Sequence, residues 1–176
     1  MPASSDAKSA LLLQLRQTVP GFVLPDASGA LIRLRSFRQR RPVLLALLHS
    51  ATCPDCHAWL STLSSVREEI EYLNVQPLLI FPDDSASLTA LQHELNLPGR
   101  LLSDPHNTTR DIYVRAEKSQ VSPCVALVAV GRYNECLDAW VADDPSQWPS
   151  LAELMATFAF AEQEDCACGL PIWPGA

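Results

Sequence analysis

The segment VLLALLH, residues 43–49, constrains the fold more than any other part of the chain, because its first six residues are all apolar. A strand with one exposed face alternates apolar and polar residues, whereas a strand covered on both faces of a parallel sheet does not. The segment 75–81 is a second predicted strand of this buried kind, and the segment 122–130 is a third strand. The chain is therefore predicted to form a central sheet with helices packed on it.

Helical periodicity fills the intervals around these strands. Apolar residues recur at helical spacing over 59–73, with charged residues between them. A second helix is predicted over 88–95, ending at the sequence NLPG, and a short one over 108–114. The last predicted helix covers 149–162.

Two hairpins complete the predicted architecture. Near the start of the chain, a short strand is followed by a turn over 26–29 and by an alternating strand over 31–34. Later, Gly131 and Arg132 are predicted to turn the third core strand into a partner strand over 133–141. This order of elements predicts an α/β protein with a mixed central sheet flanked by helices and an N-terminal β-hairpin.

One domain accounts for the whole pattern. The 176 residues, of which 48% are hydrophobic, are enough for one full core. The domain is predicted over 19–162, after an N-terminal extension, 1–18, and before a cysteine-containing tail, 163–176. Glycine and proline are too frequent in the segment 165–176 for a helix to be expected there.

Charge and hydropathy restrict the partners. The net charge is −7 and the pI is about 5.0, so no nucleic-acid partner is expected. The one basic run, 33–41, holds five arginines and is interpreted as a solvated hairpin edge or as a local anion-binding patch. The longest apolar run near the start has four residues, fewer than the roughly 7–15 of a secretory signal. No run approaches the roughly 20 residues of a membrane span, so we expect a cytoplasmic protein with no membrane partner.

The segment TCPDCH, residues 52–57, is compatible with three chemistries. Cys-x-x-Cys-His is the attachment sequence of a c-type haem. Cys-x-x-Cys is also half of a zinc site, to which Cys166 and Cys168 could add two ligands. The same spacing occurs in redox dithiols at the start of a helix. The lack of an export signal opposes haem, and zinc would require the tail to fold back. We therefore prefer the dithiol and expect neither a cofactor nor a metal.

The predicted position of the dithiol explains how it would react. Pro54 suits the first turn of a helix, which places Cys53 at the helix amino end. Unpaired N–H groups and the helix dipole there favour a thiolate over a thiol. Cys56 lies one turn further in, close enough to resolve a mixed disulfide formed on the first cysteine. The charge of Asp55 opposes thiolate formation, whereas a protonated His57 favours it.

Several further residues either belong to the site or have no role in it. His49 ends the strand before the dithiol, where it either tunes the pair or is an ordinary strand-end residue. Cys124 is either a buried strand residue or a neighbour of the dithiol, and Cys136 is expected to be inert. Cys166 and Cys168 form either an accessory dithiol that shuttles electrons or part of a tail without function.

Five segments together resemble the thioredoxin-like superfamily, and within it the redoxin or alkyl hydroperoxide reductase/thiol-specific antioxidant (peroxiredoxin-like) branch. They are GFVLPDASGALIRL, PVLLALLHSATCPDC, LLIFPDD, LNLPGRLLSDP and VSPCVALVAVGR, in an order that spans about residues 19–132. The resemblance implies a thioredoxin-like fold whose active site pairs the Cys-x-x-Cys with a cis-proline before the third core strand. Pro123 matches that proline, which implies that it packs against Cys53 and that the backbone of Ser122 pairs with a substrate chain.

The sequence departs from the peroxidases of this branch at two places. They carry Pro-x-x-x-Thr/Ser-x-x-Cys, and the matching positions here are Ala46, Ser50 and Cys53, so the proline is replaced. Their distant arginine is expected just before the third core strand, where this chain has Ser122 and Pro123. Of these peroxidase positions, the resemblance implies that Ser50 keeps a supporting role at the thiol, and Thr52, next to Cys53, is a further supporting candidate.

The sequence departs from thioredoxins as well, since Leu47 and Thr52 occupy the positions of their buried acid and of the tryptophan before the first cysteine. The leading hypothesis is a thiol–disulfide oxidoreductase, with Cys53 as the nucleophile and Cys56 as the resolving thiol. The alternatives are a thiol peroxidase and a non-catalytic zinc-binding or interaction module. The expected partners are protein or small-molecule disulfides, with peroxides as the alternative, and a thiol reductant as the electron donor.

Overall fold

The computed structural model describes residues 12–114 and 125–167, and the side chains of the last helix up to residue 163. The strands, in chain order, are β1 (Val23–Pro25), β2 (Leu31–Arg33), β3 (Val43–Leu47), β4 (Gln76–Phe81), β5 (Arg100–Ser103), β6 (Val125–Val130) and β7 (Cys136–Ala142). The helices are α1 (Pro54–Ser65), α2 (Arg67–Tyr72), α3 (Ser85–Leu95), α4 (Thr108–Tyr113) and α5 (Leu151–Ala167). Short 3₁₀ turns follow β2 and β7, at Leu34–Phe37 and Pro145–Gln147.

The strand β3 lies at the centre of a five-stranded mixed sheet with the order β5-β4-β3-β6-β7. It runs parallel to β4 and antiparallel to β6; β4 runs parallel to β5, and β6 pairs antiparallel with β7. The strands β1 and β2 form a separate antiparallel hairpin. All residues of β3 are buried, as its unbroken apolar sequence predicts. The predicted fold class, α/β with a mixed central sheet and an N-terminal hairpin, is confirmed.

Successive side chains of β3 enter two apolar cores, one on each face of the sheet. Leu44 and Ala46 lie in the first core, together with apolar residues of α1, α3 and α5. Leu45 and Leu47 lie in the second core, together with residues of the N-terminal segment and Tyr113 of α4. The helix α1 therefore rests on the face of the sheet that the long helices cover.

Two elements differ from the prediction in this region. The helix predicted over 59–73 is two helices, because the backbone at Val66 (φ −105°, ψ 24°) leaves the helical conformation and begins α2 as its N-cap. A β-branched residue loses side-chain freedom in a helix, so a break at this valine costs little. The strand β5 is not among the predicted strands, since its sequence RLLS is too short for periodicity to separate a strand from a helix.

The end of the chain differs as well. The predicted absence of a helix over 165–176 is wrong for its first three residues, because α5 continues to Ala167, two residues before the first breaker, Gly169. The hairpin between β6 and β7 does not turn on Gly131 and Arg132 alone. Its loop extends to residue 135, and Asn134 takes the left-handed conformation (φ 70°) while its N–H donates to the Gly131 carbonyl, 3.0 Å away.

Candidate active site

The dithiol segment begins where β3 ends. The backbone N–H of Leu48 still donates to the Ile80 carbonyl, at 2.9 Å, so the chain leaves the sheet only after this residue. Cys53 is the N-cap of α1, with an extended backbone, and its carbonyl accepts from the His57 N–H at 3.0 Å. Pro54 is the first residue of the helix. The structure thus places the first cysteine at the amino end of the helix, where orphan N–H groups lie.

The two thiols differ in exposure. Cys53 is half-buried, whereas the exposed fraction of Cys56 is 0%. Their sulfur atoms and a ring nitrogen of His49 all lie within 4.8 Å of one another. Burial, together with the neighbouring thiol, raises the pKa of Cys56 to about 12, although the backbone N–H groups of His49 and Ser50 act in the opposite direction. The inner thiol is therefore protonated at neutral pH, and substrate reaches only the outer one.

The two histidines take different partners. His49 Nδ1 lies 3.7 Å from Cys53 Sγ, so this residue is a direct neighbour of the dithiol. His57 Nε2 lies 2.5 Å from the Ala51 carbonyl oxygen, and because a carbonyl only accepts, this nitrogen carries a proton. His57 therefore stabilises the loop before the helix. His49 is therefore the histidine that lies beside the Cys53 sulfur. Its place in the sequence had allowed either a role in tuning the dithiol or no role.

Ser50, Thr52 and Asp55, three polar candidates for the site, lie on or beside this loop. Ser50 is half-buried, and its Oγ accepts from the Thr52 N–H at 3.2 Å and lies 3.1 Å from Thr52 Oγ1. Thr52 and Asp55 are exposed, the latter in the first turn of α1. In the described contacts, Ser50 and Thr52 bond to each other and shape the loop.

Side chains that were not predicted hold the loop from the neighbouring strands. Asp83 follows β4, and its Oδ2 accepts from the Ala51 N–H at 2.8 Å. Ser103 at the end of β5 donates to the Asp83 carbonyl at 2.7 Å. The sequence PDD after the second core strand carried a signal for this contact, since the carboxyl ends of parallel strands meet at one edge of the sheet.

A buried arginine is the other unpredicted neighbour of the loop. Arg110 of α4 has an exposed fraction of 7%, and its guanidinium donates to the Leu48 carbonyl at 2.5 Å. The buried Asp104 accepts from the N–H groups of Thr108 and Thr109, at 3.0 and 2.8 Å, and so fixes the start of α4. Nothing local in the sequence distinguishes this arginine from the exposed ones.

A groove runs along the exposed side of α1, beginning two residues beyond Cys53. Its volume is about 470 Å³, and it is lined by α1 and by the segment 145–151. Trp59 and Trp148 meet edge to face in its wall, with ring centroids 4.9 Å apart and an interplanar angle of 83°. Asp55, which lies between the two cysteines in the sequence, lines the same groove, which therefore offers a concave, largely apolar surface on the helix that carries Cys56.

The remaining predicted residues do not all fall within the described chain. Ser122, Pro123, Cys124 and Cys168 lie outside the described residues. Cys166 belongs to α5, and its side chain is not described. The proposed roles of the proline and of the accessory dithiol therefore stay predictions.

Cys136 lies apart from the site, in the second core. Its exposed fraction is 1%, and its thiol donates to the Asp138 carbonyl at 3.7 Å. Burial and, to a lesser degree, the charge of Asp138 raise its pKa to about 11. A buried, protonated thiol of this kind agrees with the expectation that Cys136 is inert.

A mixed sheet with a cysteine at the start of the helix after its central strand defines a thioredoxin-like protein. The sequence model of the AhpC/TSA family matches residues 15–130 of this chain. The match covers more than half of the chain, and the chain belongs to this family.

Solved structures show the same fold. The peroxidoxin BcpB from Mycobacterium tuberculosis is 19% identical, with a TM-score of 0.72 over 84% of this chain and 97% of its own. A thiol peroxidase from Chromobacterium violaceum is 20% identical, with a TM-score of 0.66 over 85% and 88%. A putative thiol:disulfide interchange protein DsbE from Chlorobium tepidum is 16% identical, with a TM-score of 0.66 over 83% and 99%. Among curated protein sequences, none matches this chain. The family and the fold support a thiol-based redox function.

Proposed function

We propose that the protein is a thiol–disulfide oxidoreductase. The observation that carries this proposal is the pairing of a half-buried thiol at the amino end of α1 with a fully buried thiol one turn behind it. An incoming disulfide meets Cys53 first, and Cys56 is close enough to complete the exchange. The two thiols therefore have separate roles, nucleophile and resolving group.

The reaction transfers two electrons from the dithiol to the substrate. The Cys53 thiolate attacks one sulfur of the disulfide R–S–S–R′, a bond forms between Cys53 and RS, and R′S⁻ leaves and takes up a proton. Cys56 then gives up its proton and attacks Cys53 Sγ, which releases RS⁻ and leaves a Cys53–Cys56 disulfide. The backbone N–H groups of His49 and Ser50 lie at the Cys56 sulfur and support the charge that develops there. A thiol reductant restores the dithiol.

The site fits disulfide-containing partners. The groove along α1 gives a protein or small-molecule disulfide an apolar surface on the helix that begins at the dithiol. A cytoplasmic thiol reductant would serve as the electron donor. In the part of the chain that the structure describes, no helix has both the length and the apolar character needed to cross a membrane.

A thiol peroxidase is the second candidate, and the buried Arg110 favours it. Peroxide cleavage requires a thiolate and donors that stabilise the leaving oxygen. Cys53 would attack ROOH to give a sulfenic acid and ROH, and Cys56 would condense with the sulfenic acid to a disulfide and water. Ser50 and Arg110 both lie at the loop that carries the thiol. We rank this candidate second for two reasons. The Arg110 guanidinium donates a hydrogen bond to the Leu48 carbonyl, and Ala46 replaces the proline of the peroxidase motif.

One experiment separates the two. Disulfide reduction and hydrogen peroxide consumption are measured side by side on the purified full chain and on Cys53→Ser, Cys56→Ser and, as a matched control, Cys136→Ser. We expect disulfide exchange at useful rates, slow peroxide turnover, no activity in Cys53→Ser and unchanged activity in Cys136→Ser. Cys56→Ser should accumulate a mixed disulfide that mass spectrometry detects. Rapid, saturable peroxide reduction that persists in Cys56→Ser with an added thiol would instead establish the peroxidase.

A further inference from the structure

We propose that the reduced site binds one Zn²⁺ ion through the sulfur atoms of Cys53 and Cys56 and the Nδ1 atom of His49. Within the described part of the chain, these three residues form the one cluster of histidine, cysteine or acidic side chains with ligand atoms close enough to share a metal. The spacing His-x-x-x-Cys-x-x-Cys brings them together at one place, because the histidine lies two residues after the end of β3 and the cysteines lie at the start of α1.

The distances fit a zinc site. With Zn–S bonds of about 2.3 Å and Zn–N bonds of about 2.0–2.1 Å, tetrahedral angles place sulfur and nitrogen about 3.6 Å apart and two sulfurs about 3.8 Å apart. The distance from Cys53 Sγ to His49 Nδ1 is 3.7 Å. All three ligand atoms lie within 4.8 Å of one another, so each pair reaches the bonding geometry by moving about 1 Å or less.

The orientation of the histidine supports this ligand set. His49 Nε2 is buried and has no hydrogen-bond partner among the described residues, and Nδ1 is the nitrogen near the outer sulfur. A neutral imidazole coordinates a metal through a nitrogen that carries no proton. The tautomer with its proton on Nε2 leaves Nδ1 available to the ion, together with the two sulfurs.

Charge balance favours Zn²⁺ over other ions. Two thiolates neutralise its two charges, and a neutral complex is the least costly one where Cys56 is fully buried. Thiolate and imidazole ligands suit zinc, whereas calcium and magnesium require oxygen ligands. Three protein ligands leave a fourth position for water or for a substrate atom. This site does not require Cys166 and Cys168, which the sequence suggested as ligands.

The metal would regulate the exchange reaction, an inference that rests on the proposed function. A zinc-bound Cys53 cannot attack a substrate until the ion leaves. Oxidation of the two cysteines prevents zinc binding, because a disulfide provides no thiolate ligands. The ion dissociates first, and the freed dithiol then reduces R–S–S–R′, which gives the Cys53–Cys56 disulfide, RS⁻ and R′S⁻. The two electrons pass from the cysteines to the substrate disulfide, and the oxidised protein does not bind the ion again, so a disulfide substrate shifts the equilibrium toward free Zn²⁺.

Metal titration of the reduced full chain tests the site directly. Co²⁺ is added first, since absorption from thiolate-to-cobalt charge transfer reports sulfur ligands, and Zn²⁺ is then titrated against a chromogenic chelator. We expect one ion per chain and loss of the absorption in Cys53→Ser and Cys56→Ser. His49→Ala should weaken binding by more than about tenfold. Loss of a residue that only hydrogen-bonds to a metal ligand already costs about 10–100-fold in affinity, and His49 is itself a ligand. His93→Ala, an exposed histidine on α3, is the matched control and should bind as the wild type does.

The outcomes separate this proposal from the proposed function. Disulfide exchange is measured on the same samples with a chelator present. Normal exchange without a cobalt–thiolate band, or with equal affinity in His49→Ala and wild type, overturns the metal site alone. A band that depends on His49 without any exchange overturns the oxidoreductase alone. Far-UV circular dichroism checks the fold of His49→Ala, and His49→Asn replaces it if the alanine variant does not fold.

Discussion

The two ends of the central sheet use polar side chains in opposite ways. At the carboxyl ends of β3 and β4, Asp83 and Arg110 bond to backbone groups of the segment 48–52, which leads from β3 to Cys53. Asp83 accepts from the Ala51 N–H, and Arg110 donates to the Leu48 carbonyl. At the amino ends of β3, β4 and β5, arginines line an open cleft of about 570 Å³. They are Arg33, Arg40, Arg41 and Arg100.

The difference shows that location decides what a charge does. The run of arginines at 33–41 is conspicuous in the sequence, but most of its side chains are exposed on the hairpin edge and the following turn. Arg110 is inconspicuous, but it is buried and holds the strand end that leads to Cys53. Each end also holds a buried cysteine, Cys56 near the loop and Cys136 beside the amino end of β3.

The largest expected contrast is in thiol reactivity. With pKa values of about 12 and 11, Cys56 and Cys136 have roughly one part in 10,000 and one part in 1,000 as thiolate at pH 8. Iodoacetamide should therefore label Cys53 of the reduced native protein at least about 100-fold faster than either. A time course read by peptide mass spectrometry measures the three rates. Faster labelling of Cys56 would reverse the roles assigned to the two thiols.

The next contrast is between a buried and an exposed arginine. Arg110→Ala removes a charge-assisted hydrogen bond and leaves the Leu48 carbonyl without this donor, so we expect a loss of about 3 kcal/mol in the free energy of unfolding. Arg40→Ala, at the other end of the sheet, should change it by less than about 0.5 kcal/mol. Urea unfolding of both variants gives the comparison. Equal losses would show that the guanidinium does not hold the loop.

Asp83→Ala should have a smaller effect on stability and a visible one on catalysis. It removes the acceptor of the Ala51 N–H, at a cost of about 1–2 kcal/mol, and frees the loop before Cys53. The rate of disulfide exchange should fall even under conditions in which the variant is still fully folded. The exposed Asp143→Ala is the control and should preserve both. An Asp83→Ala protein with the wild-type exchange rate would show that the loop is held without this bond.

The smallest effect is at the amino end, where Asp26 holds the hairpin. Burial acts to raise the pKa of this carboxyl, but hydrogen bonds from Ser28, from the Ala30 N–H and from Arg100 outweigh it and lower that pKa. A lowered folded-state pKa stabilises the protein above the unfolded value of 3.8 and ceases to do so as the pH falls through the folded value.

Asp26→Asn should therefore cost about 1 kcal/mol at pH 7 and progressively less below about pH 4. Urea unfolding of the variant and the wild type at several pH values measures the difference. A difference that is the same at pH 3 and pH 7 would contradict an ionised Asp26 in the fold.

The sequence predicted those features of the fold and the site that depend on neighbouring residues, and it did not predict contacts between distant ones. The unbroken apolar run of β3 and Pro54 after Cys53 predict a dithiol at a helix start, because each depends on neighbouring residues only. The contact of Arg110 with Leu48 joins residues 62 positions apart, and no local pattern indicates it. Asp83 and Ala51 are 32 positions apart, and only the expectation that strand ends meet could have indicated their contact.

The position of β3 has a consequence for how the chain is made. Leu45 pairs with Leu78 on one side and with Val128 on the other, so the second partner leaves the ribosome 50 residues after the first. A nascent chain that ends after β4 can already form the parallel pair and the helix that carries the dithiol. The other edge of β3 then stays open to any extended segment, including that of another nascent chain. Synthesis is thus the period in which this protein is most exposed to aggregation, and it ends when β6 closes the edge.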